Sequence, residues 1–157
     1  MPRILYVDDE QSISRAVGAW LSRRGVDADC VRSLAGARQC LALHEYDGAF
    51  VDVWLGDGSG LDLLEEIRER RPALAGRLAF ITGDAMPRDD VKRRLAELGR
   101  PVIQKPFDLA TLDDWIATWT SPAAREADAT GPEPPHDGAR PRRRTPPGGS
   151  DPSPPAP

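Results

Sequence analysis

The chain has 157 residues, a formal net charge of −4 and two cysteines, and 11 of its 16 prolines fall from Pro122 onward in a stretch with no aromatic residue and no Val, Ile, Leu or Met. Such a stretch cannot bury enough apolar surface to offset the entropy of ordering it, so residues 121–157 are expected to be a disordered Pro/Arg-rich tail and residues 1–120 a single folded domain, long enough to bury a proper core. The tail holds five basic and five acidic residues, so the net negative charge belongs to the domain; a mildly acidic domain offers no footprint for nucleic acid, and no apolar run suits a signal peptide or a bilayer span, so a cytoplasmic protein without membrane contact is expected.

In chain order, "RILYV" at 3–7 is a short apolar run that stops at Asp8 and Asp9 and reads as a strand. Ile13, Ala16, Val17, Trp20 and Leu21 follow at helical spacing, with Gly25 after Arg23 and Arg24 as a stop. "VDADCV" alternates Val26, Ala28 and Cys30 against Asp27 and Asp29, the pattern of an edge strand with one wet face. Ser33 is placed to cap a second helix with Leu34, Ala37, Leu41 and His44 on one side. "GAFVDVWL" at 48–55 reads as a strand buried on both faces, and "GDGSG" breaks it before Leu61, Leu64 and Ile67 build a third helix ending near Arg71 and Pro72. "LAFIT" at 78–82 is a fourth strand, 89–98 a weakly amphipathic fourth helix stopped by Gly99, and "PVIQ" at 101–104 a fifth strand. Asp108 is expected to cap a fifth helix with Leu109, Leu112, Ile116 and Trp119 facing inward.

Five strands alternating with five helices predict an α/β fold, a doubly wound parallel sheet covered on both faces. In such folds the site lies at the carboxyl ends of the strands, near the point where strand order reverses. The residues there are Asp8, Asp9 and Glu10 after the first strand, Asp52 in the third, Thr82, Gly83 and Asp84 after the fourth, and Lys105 and Pro106 after the fifth. Asp52 is the anomaly that draws attention, because an ionised carboxylate inside an apolar run is costly unless something pairs with it.

Converging aspartates repel one another and raise one another's pKa, a cost that a divalent cation removes. Oxygen ligands with room for water suit Mg²⁺, and an Asp52 oxygen left free could attack phosphorus and form an aspartyl phosphate. Phosphoryl transfer then needs charge stabilisation on three equatorial oxygens, which the cation, the Lys105 ammonium and the Thr82 hydroxyl with nearby N–H groups could share; Gly83 leaves an entry path. The chain uses 19 arginines and only two lysines, so a lysine at a strand end suggests that a compact point charge is wanted there. Asp57, between two glycines, reads as a turn residue, Cys30 and Cys40 as buried free thiols, and His44 and His136 as ordinary surface or helix-end histidines. Arg140 and Arg142 to Arg144, with the PxxP spacings around them, read as a solvated part of the tail.

With "VDDE" after the first strand, "VDVWLGDGSGLDLL" around Asp52, "ITGDA" around Thr82 and "QKPF" around Lys105, residues 2–120 resemble the receiver domain of bacterial two-component response regulators. The resemblance implies a flavodoxin-like sheet of order 2-1-3-4-5. It also implies Asp52 as phosphoacceptor, Asp9 as direct Mg²⁺ ligand, Asp8 holding a metal-bound water and the Trp54 backbone carbonyl as a further ligand. Thr82 would be the switch hydroxyl and Lys105 the phosphate-pairing ammonium, followed by a cis bond into Pro106. The implied partner is a sensor histidine kinase or a histidine phosphotransfer protein, and the protein has no separate substrate to turn over.

Three positions depart from the family pattern. Val102 stands where an aromatic switch residue is usual, Gly56 stands where Pro is frequent, and Trp54 is placed to shield the acyl phosphate from water. No output module follows Ser121, so a stand-alone, single-domain regulator of the chemotaxis type is expected, acting on an unnamed target protein. The alternative within the same fold is an interaction module that works without phosphate. A haloacid dehalogenase-type phosphatase is disfavoured because Trp54 stands two places after Asp52, where its acid/base carboxylate belongs, and a flavodoxin because Asp8 to Glu10 would repel the flavin phosphate.

Overall fold

Apolar residues of both parities on each inner strand require helices on both faces of the sheet, and the computed structural model, which describes residues 1–129, has that arrangement. Strands β1 (Arg3–Val7), β2 (Asp27–Val31), β3 (Gly48–Asp52), β6 (Leu78–Thr82) and β7 (Val102–Gln104) form a parallel sheet in the order β2-β1-β3-β6-β7. Two short strands, β4 (Trp54–Leu55) and β5 (Gly58–Ser59), make a separate antiparallel pair, so the main sheet has the expected 2-1-3-4-5 topology. Leu5, Val7, Ala49, Val51 and Phe80 face a core built with α2 (Leu34–Leu43), α3 (Gly60–Arg70) and α5 (Asp89–Leu98). Ile4, Tyr6, Phe50, Ile81 and Ile103 face the other, with α1 (Gln11–Arg23) and α6 (Ala110–Trp119). On that side the Trp119 ring lies 4.9 Å from Phe50 and close over Gly48, where a Cβ would meet it at 2.2 Å.

The described residues hold seven helices rather than five. The first addition, α4 (Pro72–Ala75), begins at the proline expected to end α3; Pro does end a helix, and its fixed φ also suits the first position of the next. The second, α7 (Pro122–Ala129), lies inside the stretch expected to be disordered. Locally "PAAREADA" is rich in helix formers, the Ser121 hydroxyl accepts the Ala124 N–H at 3.3 Å, and Asp128 pairs with Arg77 just before β6. A seventh helix is therefore present after residue 120. The rest of the predicted tail, with His136, Arg140, Arg142 to Arg144 and the PxxP spacings, lies outside the described residues.

Smaller corrections follow from hydrogen bonding. The third strand ends at Asp52, as its place among the strand-end residues implies and short of the full apolar run to Leu55, and the Asp52 carboxylate takes the Trp54 N–H at 3.0 Å where the chain turns. Ala16 is exposed, and its expected inward place on α1 is taken by buried Ser14, whose hydroxyl donates to the Asp8 carbonyl at 3.1 Å. Asp108 lies one residue before the α6 cap, Leu109, and accepts the Ala110 N–H. The cysteines are free but only partly buried.

Asp57 is more than a turn residue. Its carboxylate accepts the N–H groups of Leu34 at 2.9 Å and Ala35 at 3.1 Å, satisfying the orphan donors at the start of α2 from a loop 23 residues away. Those bonds hold its carboxyl below the usual range. A depressed folded-state value contributes stability above the unfolded value that is lost as pH falls through the folded one. Asp57→Ala should therefore lower the melting temperature by a few degrees at neutral pH, and the gap to wild type in thermal melts should close on acidification. No helix among the described residues is long and apolar enough to cross a membrane.

Candidate functional site

Side chains two apart on a strand share a face. Asp8 follows Tyr6, Asp52 follows Phe50 and Lys105 follows Ile103, three members of the core shared with α1 and α6, so the charged groups are delivered to one side of the sheet at its carboxyl edge. β1 and β3 are neighbours there with β2 and β6 outside them, which makes this the point where strand order reverses.

Lys105 Nζ is the hub. It donates to Asp52 Oδ2 at 2.9 Å and Asp8 Oδ1 at 3.1 Å, and lies 3.4 Å from Glu10 Oε2. Asp8 is fully buried, Asp52 is 6% exposed and Asp9 is exposed, and each offers a carboxylate oxygen within 4.8 Å of the others. Asp52 thus stands at its strand's end as expected, yet its side chain is still covered. Burial pushes its carboxyl above the ordinary carboxylate value against the Lys105 ammonium and the Trp54 N–H, which hold it down. Burial also acts to lower Lys105, but its hydrogen bonds to Asp52 and Asp8 outweigh that and hold the ammonium above its ordinary value. The two shifts differ in origin, burial for Asp52 and hydrogen bonding for Lys105, but one ammonium serves two buried carboxylates and Glu10 at the rim, so the pocket is short of positive charge. An oxygen-only donor set with that deficit fits Mg²⁺.

Thr82, buried at the end of β6, accepts the Asp84 N–H on its hydroxyl at 3.1 Å, which leaves its own proton free to donate. Asp84 closes its own turn by accepting the Met86 N–H, and a Cβ at Gly83 would make only ordinary contact with Lys105 Cδ at 3.9 Å, so the space beside Thr82 is open. The Lys105–Pro106 bond is cis. Trp54, two residues beyond Asp52, is 45% exposed and lies outside the core. Val102 is 43% exposed on β7, which β6 separates from the strand that carries Asp52.

Sequence reasoning missed the groups that hold Asp8. Tyr6 Oη donates to Asp8 Oδ2 at 3.1 Å, the Glu10 N–H donates to Oδ1 at 2.9 Å, and Ser14 holds the carbonyl. A signal was available: a tyrosine two residues before an aspartate on a strand puts a hydroxyl on the carboxylate's side.

Comparison with known proteins agrees with this geometry. The response regulator receiver domain family matches residues 4–117. The response regulator protein PilR of Pseudomonas aeruginosa is 34% identical over 128 residues, 80% of this chain and 28% of PilR, so the chain spans little more than a quarter of that relative. The non-phosphorylated HemR receiver domain of Leptospira biflexa superposes with a TM-score of 0.66 at 26% identity, over 77% of this chain and 95% of that one. A CheY-like receiver domain protein of Methanospirillum hungatei shares the fold, with a TM-score of 0.70 at 23% identity over 83% of this chain and 99% of its own. With its site at the carboxyl edge of a 2-1-3-4-5 sheet and a family match across nearly all of that sheet, the chain belongs to the response regulator receiver domain family.

Proposed function

We propose that Asp52 is the phosphoacceptor of a two-component phosphorelay and that its donor is the phosphohistidine of a sensor histidine kinase or a histidine phosphotransfer protein. The observation that carries this is the setting of Asp52: a covered carboxylate at a strand end, one oxygen on Lys105 Nζ and the other on the Trp54 N–H. In the transfer an Asp52 oxygen bonds to phosphorus as the phosphorus–nitrogen bond breaks, and the imidazole leaves with the electron pair and takes up a proton. Asp8, Asp9 and Asp52, with the Trp54 carbonyl, would hold Mg²⁺, which when bound neutralises the pocket and the charge on the transferring group. Lys105 exchanges its bond to Asp52 for one to a phosphoryl oxygen, and the free Thr82 proton serves another. Pro106 fixes the chain direction beyond Lys105, and Gly83 and Asp84 shape the loop beside Thr82. The resulting aspartyl phosphate carries about −1.5 to −2 charges where the carboxylate carried one, and biases that loop and the adjoining α5 and β7 surface, which a downstream protein reads. Val102, small and exposed where an aromatic is usual, makes this coupling rest on Thr82 and the loop.

Incubation with Mg²⁺ and a small phosphodonor, followed by intact mass, tests this. One phosphoryl increment is expected, none in EDTA; no increment on the folded wild type would leave the phosphate-independent module as the better reading. Trp54, exposed two residues beyond Asp52, would shield the acyl phosphate from water, so loss of the label should be slow, and Trp54→Ala should speed it several-fold. Fast loss that the substitution does not change would remove Trp54 from this role.

A further inference from the structure

We infer that Tyr6 is a positioning residue for the cation site, acting through Asp8, an inference that rests on the Mg²⁺ reading above. Tyr6 is fully buried, its ring packed 6.4 Å from Phe50, and its hydroxyl has one partner among the described residues, Asp8 Oδ2 at 3.1 Å. A buried hydroxyl is costly when unpaired, so the position is occupied by Tyr rather than an apolar residue for a reason that packing alone does not supply. Every other polar atom of Asp8 is also engaged: its N–H donates to the Val31 carbonyl at 3.0 Å, its carbonyl accepts from Ser14, and Oδ1 accepts from Glu10 N–H and Lys105.

Lys105 approaches both oxygens, 3.1 Å from Oδ1 and 3.0 Å from Oδ2, a geometry that by itself would let the carboxylate rotate to follow the ammonium. With the Glu10 N–H on Oδ1, the Tyr6 hydroxyl holds Oδ2, and the two together prevent that rotation. The carboxylate therefore keeps one orientation when Lys105 turns toward a phosphoryl group, and the metal-bound water that Asp8 would hold meets an oxygen that is already in place. Hydrogen-bond partners behind a ligating carboxylate are typically worth about 10–100-fold in metal affinity.

Tyr6→Phe keeps the ring and removes only the hydroxyl, and Mg²⁺ binding by calorimetry on the unphosphorylated full chain is the readout. The variant should bind Mg²⁺ roughly tenfold more weakly, with its melting temperature in metal-free buffer nearly unchanged, because Asp8 Oδ2 retains Lys105. In an Asp8→Asn background the same substitution should have little further effect. Tyr46→Phe, which deletes an equivalent bond to Asp29 at 2.7 Å far from the site, should leave Mg²⁺ affinity alone. If wild type and Tyr6→Phe bind alike, or the loss persists in Asp8→Asn, Tyr6 has no such role while the Mg²⁺ site stands. If wild type itself binds no Mg²⁺, the site reading and this inference fall together.

Discussion

Asp52→Asn should accept no phosphoryl group from a small donor and yet melt at a higher temperature than wild type in metal-free buffer. The first result follows because the amide has no ionised oxygen to attack phosphorus. The second follows from linkage: the Asp52 carboxyl lies above its ordinary value in the fold, mainly through burial. A raised folded-state value contributes stability below the unfolded value, near 3.9, and that contribution is lost as pH rises through the folded value. At neutral pH the ionised carboxylate is thus a net cost that the amide relieves, by a few degrees in a domain of this size. Magnesium should reverse the order, since a ligand at ten times its Kd stabilises by about 1.4 kcal/mol and the variant binds it less well.

Lys105→Ala moves the balance the other way. It leaves Asp8 and Asp52 without the ammonium they share, at a cost of about 3 kcal/mol in metal-free buffer, and slows phosphate uptake by about 10²-fold or more. Thermal melts with and without Mg²⁺, beside intact mass, separate these terms. A destabilised Asp52→Asn would mean that Lys105, and not burial, dominates the pocket.

How much of this could be read without coordinates depends on how each feature is encoded. Asp8, Asp9, Asp52, Thr82 and Lys105 were legible because each ends an apolar run, and in an alternating α/β chain the ends of the runs share one edge of the sheet. The sheet order came with the family resemblance, since local pattern fixes elements but not their neighbours. Features that depend on a distant partner were hidden. Asp57 lies in a glycine loop and works at the start of α2; α7 is held in part by Arg77, some 50 residues earlier in the chain; and the Tyr6 hydroxyl is masked in an apolar run because its ring is core while its oxygen belongs to the site. Helix α7 was hidden for another reason: composition averaged over a long Pro-rich window outweighs eight helix-forming residues at its start.

The three glycines of "GDGSG" look interchangeable in the sequence and are not, which leads to the largest expected effect on the fold. A Cβ on Gly60 would lie 2.1 Å from the Asp52 carbonyl oxygen and 2.8 Å from Val51 Cγ1, whereas one on Gly56 meets nothing within 4 Å. Gly60 opens α3, behind a Ser59 cap, and donates its N–H to Val53 at 2.9 Å, so the helix start is pressed against the strand backbone that carries Asp52. Gly60→Ala must push the two apart, and backbone cannot give way as a flexible side chain can. Destabilisation should reach or exceed the top of the ~1–3 kcal/mol range for overpacking. Gly56→Ala, free of clash and without a left-handed φ, should be neutral or stabilising by about 0.4–1 kcal/mol. Urea unfolding of both variants measures the contrast. In the folded fraction of Gly60→Ala, phosphate uptake should fall as well, because the displaced backbone is the one that aims the Asp52 carboxylate at Lys105; normal uptake with reduced stability would show that α3 can retreat without moving the acceptor.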